Sequence, residues 1–212
     1  MVNKQSGTLK VNSSLTDNYK LYDISFVREN LSAIADAALQ TSGVVSSVLN
    51  GVEWQGGHHQ HNPNECPNST WLYGYYNFFS SRVKDVVIYD LFSEVKTCLR
   101  DFIGMEERAW TQCWVNSHLE GGLLHKHHHD YPIHWYLSIY PQNTETVFYK
   151  GDNELYRIKN EPGKLYIGPG DRLHEVVQSG EFDNMPRITL AGNVMRPSDT
   201  TYRDTTLSFI PI

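Results

Sequence analysis

The chain has 212 residues, 40% of them hydrophobic and 20% charged, with a formal net charge of −6. That length suits one domain with a sizeable core, and the charge content lies far below what a disordered chain needs. The acidic balance argues against a nucleic-acid partner, whose phosphates are bound mainly through Lys and Arg.

In chain order, residues 1 to 20 are rich in Ser, Asn, Lys and Thr without apolar periodicity and read as a loosely held arm. The opening Met1 to Ser6 carries no apolar signal core, and nowhere do eighteen apolar residues run together. Neither secretion nor membrane spanning is therefore expected, and the expected location is cytoplasmic. From Ser25 to about Thr41, Phe26, Leu31, Ile34, Ala38 and Leu39 recur at helical spacing, and Gly43 supplies a stop. The stretch from 51 to 69 holds Gly56, Gly57, Pro63 and Pro67 and reads as a loop. The aromatic run Trp71, Tyr73, Tyr75, Tyr76, Phe78 and Phe79 is expected to pack helix against sheet. Ser80 or Ser81 is expected to cap a second helix, whose Val83, Val87, Leu91, Val95, Leu99 and Phe102 form one apolar face until Gly104. Residues 21 to 104 are thus a helical support region.

Beyond Gly104 the apolar period changes from 3.6 to 2. About eight short strands are expected, near 109 to 118, 123 to 130, 133 to 140, 145 to 150, 154 to 159, 163 to 168, 174 to 178 and 186 to 195. Gly151 with Asp152 and Asn153, and Pro162-Gly163, supply turn chemistry between them. Two helices followed by eight strands predict a single α+β domain built on a double-stranded β-helix, or jelly roll, with the N-terminal helices packed on one sheet. Its core would span 105 to 196, leaving 197 to 212 as a C-terminal tail. The cysteines Cys66, Cys98 and Cys113 are odd in number and widely spaced, which fits reduced thiols.

The densest chemical signal is His125-Lys126-His127-His128-His129-Asp130. In a strand, residues i and i+2 share a face, so His128 and Asp130 would point together and offer one nitrogen and one carboxylate oxygen. A histidine from another strand would complete a two-His-one-carboxylate triad of the kind that holds non-haem Fe(II), and His174 is the candidate. Arg187 follows thirteen residues later and shares a strand face with Thr189. An always-charged guanidinium at the inner end of a barrel suits bidentate clamping of a carboxylate.

Four segments, taken together, resemble the Fe(II)/2-oxoglutarate-dependent dioxygenase superfamily, particularly its prolyl-hydroxylase-like branch. They are His128-x-Asp130, Tyr136-Leu137, Glu145-Thr146-Val147-Phe148, and Pro162-Gly163 through His174 to Arg187-x-Thr189. The resemblance implies iron held by His128, Asp130 and His174, and the side-chain carboxylate of 2-oxoglutarate held by Arg187, with Tyr136 and Thr189 beside it. It implies Fe(II), 2-oxoglutarate and O₂ as the reacting set, release of succinate and CO₂, and hydroxylation of an unactivated C–H bond in a small-molecule or peptidyl substrate. The extra histidines His125, His127 and His129 depart from the general pattern.

The principal rival is a cupin-type metal protein using His127, His129 and His174 without 2-oxoglutarate. Gly121 and Pro169 stand at spacings that suit it, but Ile133 and His134 occupy the place of its downstream glutamate. His58, His59 and His61 with Cys66 are irregularly spaced for zinc and read as a polar loop.

Overall fold

The computed structural model describes residues 18–48, 69–122, 124–199 and 208–212. In chain order these carry β1 (Lys20–Asp23), α1 (Ser25–Glu29), α2 (Leu31–Val48), a 3-10 turn at Ser69–Leu72, α3 (Phe78–Ser81) and α4 (Val86–Ile103). There follow β2 (Trp110–Thr111), β3 (Trp114–His118), β4 (Ile133–Tyr140), β5 (Thr144–Lys150), β6 (Asn153–Lys159), β7 (Lys164–Pro169), β8 (Leu173–Gln178), β9 (Arg187–Met195) and β10 (Ile210–Pro211). The strands form two antiparallel sheets. The larger runs β1-β7-β4-β9-β2-β10, with β3 also paired to β9, and the smaller runs β6-β5-β8.

Strand alternation divides the larger sheet into two chemically distinct faces. Trp135, Leu137 and Ile139 of β4, with Ile188, Leu190 and Val194 of β9, join Ile34 and Ala38 of α2 and Leu91, Val95 and Leu99 of α4 in one buried cluster. The opposite face contributes Trp114, Tyr136, Tyr166 and Ala191 to a second cluster shared with Phe148 and Ile158 of the smaller sheet. One face is therefore roofed by helices and the other faces the second sheet. Gly192 is required where it stands: a Cβ there would lie 2.6 Å from the Trp135 indole and 2.0 Å from the Gln112 carbonyl oxygen.

The helices differ from their expected bounds for local reasons. The first breaks at Asn30 and resumes as α2, which runs through Gly43 to Val48; the buried face of Ile34, Ala37, Ala38, Thr41 and Val45 continues past the glycine. That packing outweighs a glycine cost of about 1 kcal/mol in a helix interior. The second long helix starts at Val86, because Asp85 accepts hydrogen bonds from the Val87 and Ile88 amides, and Ser80 and Ser81 belong instead to α3. Val83 accordingly lies off the buried stripe and is exposed.

Seven of the expected strands appear within about one residue of their expected bounds, the first of them divided into β2 and β3. The eighth, 123 to 130, does not form: that segment makes one isolated bridge, His127 to His174. The tail is docked at its end, where β10 pairs with β2 and the Ile212 amide bonds to the Ala109 carbonyl. Cys98 and Cys113 are free thiols. Cys66, His58, His59, His61 and nearly all of the expected N-terminal arm lie outside the described residues. Among the described residues, no helix is long and apolar enough to cross a membrane.

Candidate functional site

Backbone pairing decides which histidines of the 125 to 130 run look inward. The His127 amide bonds to the His174 carbonyl and the His174 amide to the His127 carbonyl, both at 2.8 Å, and the His129 amide bonds to the Gly170 carbonyl at 2.8 Å. Gly170 admits this close approach, since a Cβ there would sit 1.8 Å from the Tyr131 carbonyl oxygen. With His127 and His129 thus held toward β8, the even-numbered side chains turn the other way. His128 and Asp130 are 51% and 72% exposed and face each other, His128 Nε2 lying 3.7 Å from Asp130 Oδ1.

The structure therefore brings together His127, His129 and His174, each offering one ring nitrogen, all within 4.8 Å of one another. Of the triad expected from the sequence it includes His174 but neither His128 nor Asp130. His127 Nδ1 donates to the His125 carbonyl at 2.6 Å and His174 Nδ1 to the Arg172 carbonyl at 2.9 Å. A carbonyl can only accept, so each ring carries its proton on Nδ1 and keeps Nε2 basic, the arrangement that suits a metal ligand. His129 stacks on His134 with ring centroids 3.7 Å apart, and its Nε2 is buried without a hydrogen-bond partner. Burial, reinforced by the neighbouring histidines, holds His129 and His174 far below the usual histidine range, so both are neutral at pH 7.

His134 is a buried residue that the sequence did not single out. Its Nδ1 donates to Asn193 Oδ1 at 3.3 Å, and Asn193 Nδ2 in turn donates to Gln112 Oε1 at 2.8 Å. Burial lowers its pKa to about 3. It acts on the site through His129, whose ring it fixes by stacking.

Two residues along β4 from His134 comes Tyr136, and two further comes Ser138, paired with Thr189 of β9. Arg187 stands two residues from Thr189 on the same face, across from His118 of β3. Arg187, Tyr136 and Thr189 are thus brought to one face, as expected, with Ser138 and His118 as additions. Each has a buried polar atom with no hydrogen-bond partner: Arg187 Nε and Nη1, Tyr136 Oη, Ser138 Oγ, Thr189 Oγ1 and His118 Nε2. Tyr136 lies beside Thr146 without reaching hydrogen-bond geometry, and burial pushes its pKa up. Burial pulls the Arg187 guanidinium down to about 10, and burial with the neighbouring Arg187 charge takes His118 to about 4. An unpartnered buried polar atom costs about 1–3 kcal/mol, and more for a charged group. Such atoms gathered on one sheet face call for an anionic partner.

An open pocket, lined in part by Tyr73, Trp114, Asn116, Lys126, Tyr131 and His134, gives access to the histidine cluster. It stops short of Arg187. Between them lies an aromatic stack: Tyr136 on Tyr166 at 5.3 Å, Tyr166 on Phe148 at 4.6 Å, and Phe148 5.5 Å from His174.

No protein-family model matches this chain, and no curated protein does. Solved structures do. A Pseudomonas putida prolyl-4-hydroxylase matches with 12% identity and a TM-score of 0.49, over 85% of this chain and 89% of that one. An oxidoreductase of the 2OG-Fe(II) oxygenase family from Burkholderia pseudomallei matches with 16% identity and a TM-score of 0.40, over 46% of this chain, which spans half the length of that one. A putative 2OG-Fe(II) oxygenase family protein from Caulobacter crescentus matches with 14% identity and a TM-score of 0.42, over 92% and 86%. At such identities the function has to be read from the site's own chemistry.

That chemistry fits a metal and, apart from it, an anion. Three imidazoles converge within bonding reach of one ion, which suits a first-row divalent metal. The unpartnered donors around Arg187 fit an anion such as a carboxylate.

Proposed function

We propose that this chain is an Fe(II)- and 2-oxoglutarate-dependent oxygenase of the hydroxylase type, built on a jelly roll and acting on a small-molecule or peptidyl substrate. The observation that carries the reading is Arg187: a guanidinium 2% exposed, with Nε and Nη1 unpartnered, on the larger-sheet face that looks toward the smaller sheet, whose β8 carries His174 of the histidine cluster. His127, His129 and His174 would hold the iron, in place of the set with His128 and Asp130 that the sequence suggested. Arg187 would bind the distal carboxylate of 2-oxoglutarate, with Tyr136, Ser138 and Thr189 offering hydroxyls beside it. When bound, iron with 2-oxoglutarate and O₂ supplies the oxidant for a C–H bond, and 2-oxoglutarate leaves as succinate and CO₂.

The residues of the chain bind, orient and exclude water, and none need move a proton. His134 keeps His129 in place, and the carbonyls of His125 and Arg172 fix the other two rings. Tyr136, Tyr166 and Phe148 stack in a row that ends against His174. Tyr73 and Trp114, whose rings lie 5.1 Å apart, line the open side where a substrate would enter.

The three-histidine set also matches the cupin-type reading, in which 2-oxoglutarate plays no part. Arg187 argues against it, because such a site has no use for a buried unpaired guanidinium. The deciding experiment adds Fe(II) and 2-oxoglutarate to purified protein without oxygen, then admits air. A weak visible charge-transfer band followed by succinate formation is the expected result. Iron binding with neither band nor succinate would hand the site to the cupin-type reading.

A further inference from the structure

The smaller sheet carries a row of aromatic rings at a single register. On its inner face Phe148 of β5 is paired with His174 of β8 on one side and with Tyr156 of β6 on the other. Register partners share a face, so the three rings stand side by side across the whole width of the sheet. Ring centroids lie 5.5 Å apart from His174 to Phe148 and 4.7 Å apart from Phe148 to Tyr156. Tyr19 stacks on Tyr156 at 4.5 Å, and both are half-buried, so a row that starts at a candidate metal ligand ends at solvent. Tyr166 lies against Phe148 at 4.6 Å, and its hydroxyl is 3.4 Å from that of Tyr156. Phenylalanine throughout would fill the same space and bury no hydroxyl at Tyr166, which is fully buried. What phenols add is an electron that they give up far more readily than phenylalanine does. An oxidised phenol or indole must also shed its proton. The Tyr136 hydroxyl is buried without a partner, and the buried Trp114 indole N–H donates to the Asn116 amide oxygen at 3.0 Å, a poor proton acceptor. The half-buried end of the row has water for that purpose.

Resting on the oxygenase reading, we propose that this row is an electron relay: when no substrate C–H bond is in place, the Tyr156 and Tyr19 pair discharges the iron-based oxidant through Phe148 and His174. Without such an outlet the oxidant has only the residues of the site to attack. The pair gives up one electron along the row and one hydroxyl proton to water, leaving a neutral tyrosyl radical near the surface. That electron, with one proton from solvent, goes to the oxidant. A soluble reductant such as ascorbate supplies two more electrons, each matched by a proton from solvent. One restores the tyrosine, and the other completes reduction of the oxidant to Fe(II) and water.

The test mixes the full-length protein with Fe(II), 2-oxoglutarate and O₂ in the absence of substrate, freezes it early in the reaction and records electron paramagnetic resonance. The expected result is a transient radical whose spectrum narrows when the protein carries ring-deuterated tyrosine, with oxidation mapped by mass spectrometry to Tyr156 and Tyr19. The double variant Tyr19→Phe with Tyr156→Phe keeps both rings and removes both hydroxyls. It should lower the radical about tenfold while the initial rate of succinate formation stays within about twofold. Without ascorbate it should also inactivate about threefold faster, with oxidation moved to residues around the histidine cluster. If that variant does not fold by circular dichroism, the mapping in wild-type protein carries the test. Oxidation of Trp114 and Tyr73 in place of Tyr156 and Tyr19 would overturn the inference and leave the oxygenase reading intact. So would an undiminished radical in the folded double variant, or succinate formed with no radical. Absence of succinate would instead overturn the oxygenase reading.

Discussion

The two faces of the larger sheet are equally buried and chemically opposite. Toward the helices, β4 and β9 present Trp135, Leu137, Ile139, Ile188, Leu190 and Val194, all fully buried and all apolar apart from the Trp135 indole N–H, which donates to Thr111 Oγ1 at 2.9 Å. Toward the smaller sheet the same strands present Tyr136, Ser138, Arg187 and Thr189, with polar atoms left unpartnered. Apolar burial on the helix side stabilises the fold. Unpaired polar burial on the other side costs stability and is tolerated where a ligand supplies the missing partner. The difference separates what holds the molecule together from what the molecule is for.

Substitutions on each face should therefore move different observables. Replacing Arg187 by Met is expected to weaken 2-oxoglutarate binding by about 2–5 kcal/mol, the typical cost of removing one partner of a buried charged pair. The thermal midpoint should stay or rise, because an apolar side chain replaces a buried charge that has no ion-pair partner among the described residues. Calorimetric titration and a melting curve on one preparation check both halves. A large fall in the midpoint would mean that Arg187 has a structural partner. On the other face, Leu137→Ala is expected to destabilise the fold by about 2–5 kcal/mol through the cavity it leaves. The folded fraction should retain its affinity for 2-oxoglutarate, and urea unfolding monitored by tryptophan fluorescence measures the loss.

A smaller effect distinguishes the faces at a single oxygen. Tyr136→Phe removes an unpartnered buried hydroxyl, so stability should hold or improve by up to about 1 kcal/mol. Affinity for 2-oxoglutarate should drop by about 0.5–1.5 kcal/mol if that hydroxyl serves the distal carboxylate. A midpoint that falls instead would show that Thr146 satisfies the hydroxyl and that this part of the face belongs to the fold.

The strands were legible because alternation and turn residues act locally: β4 lies at its expected bounds of 133 to 140, and Gly163 takes the positive φ of 87° that its turn needs. The inward set Tyr136, Arg187 and Thr189 was legible for the same reason, since positions two apart share a face. The parity of the 125 to 130 run was not. His127 with His129, and His128 with Asp130, satisfy the same i, i+2 rule, and the choice between them is made by bonds from His127 to His174 and from His129 to Gly170, more than 40 residues away. His134 entered the sequence reading only as a residue standing in place of a glutamate, because its contact is a stack against His129 that no spacing reveals. Ser138 could have been found, as the next inward position after Tyr136 on a strand already recognised.

The smallest effect comes from the other well-placed arginine. Arg157 on β6 is 42% exposed and meets two carboxylates, Glu145 at 2.8 Å and Glu154 at 2.9 Å, so its charge is fully answered where that of Arg187 is not. Its pKa is raised by its hydrogen bonds to those partners, first Glu154 and then Glu145. Such a cluster looks stronger than it is, because water screens it and long side chains lose freedom in forming it; exposed pairs are worth about 0–1 kcal/mol. Arg157→Ala should therefore lower stability by less than about 1 kcal/mol, and the loss should shrink further in 1 M salt, where the screening length falls to about 3 Å. Affinity for 2-oxoglutarate should not change. A loss of 2-oxoglutarate binding in Arg157→Ala, with Arg187→Met unaffected, would move the carboxylate anchor to the outer surface of the smaller sheet and leave the unpartnered atoms of the inner face without a function.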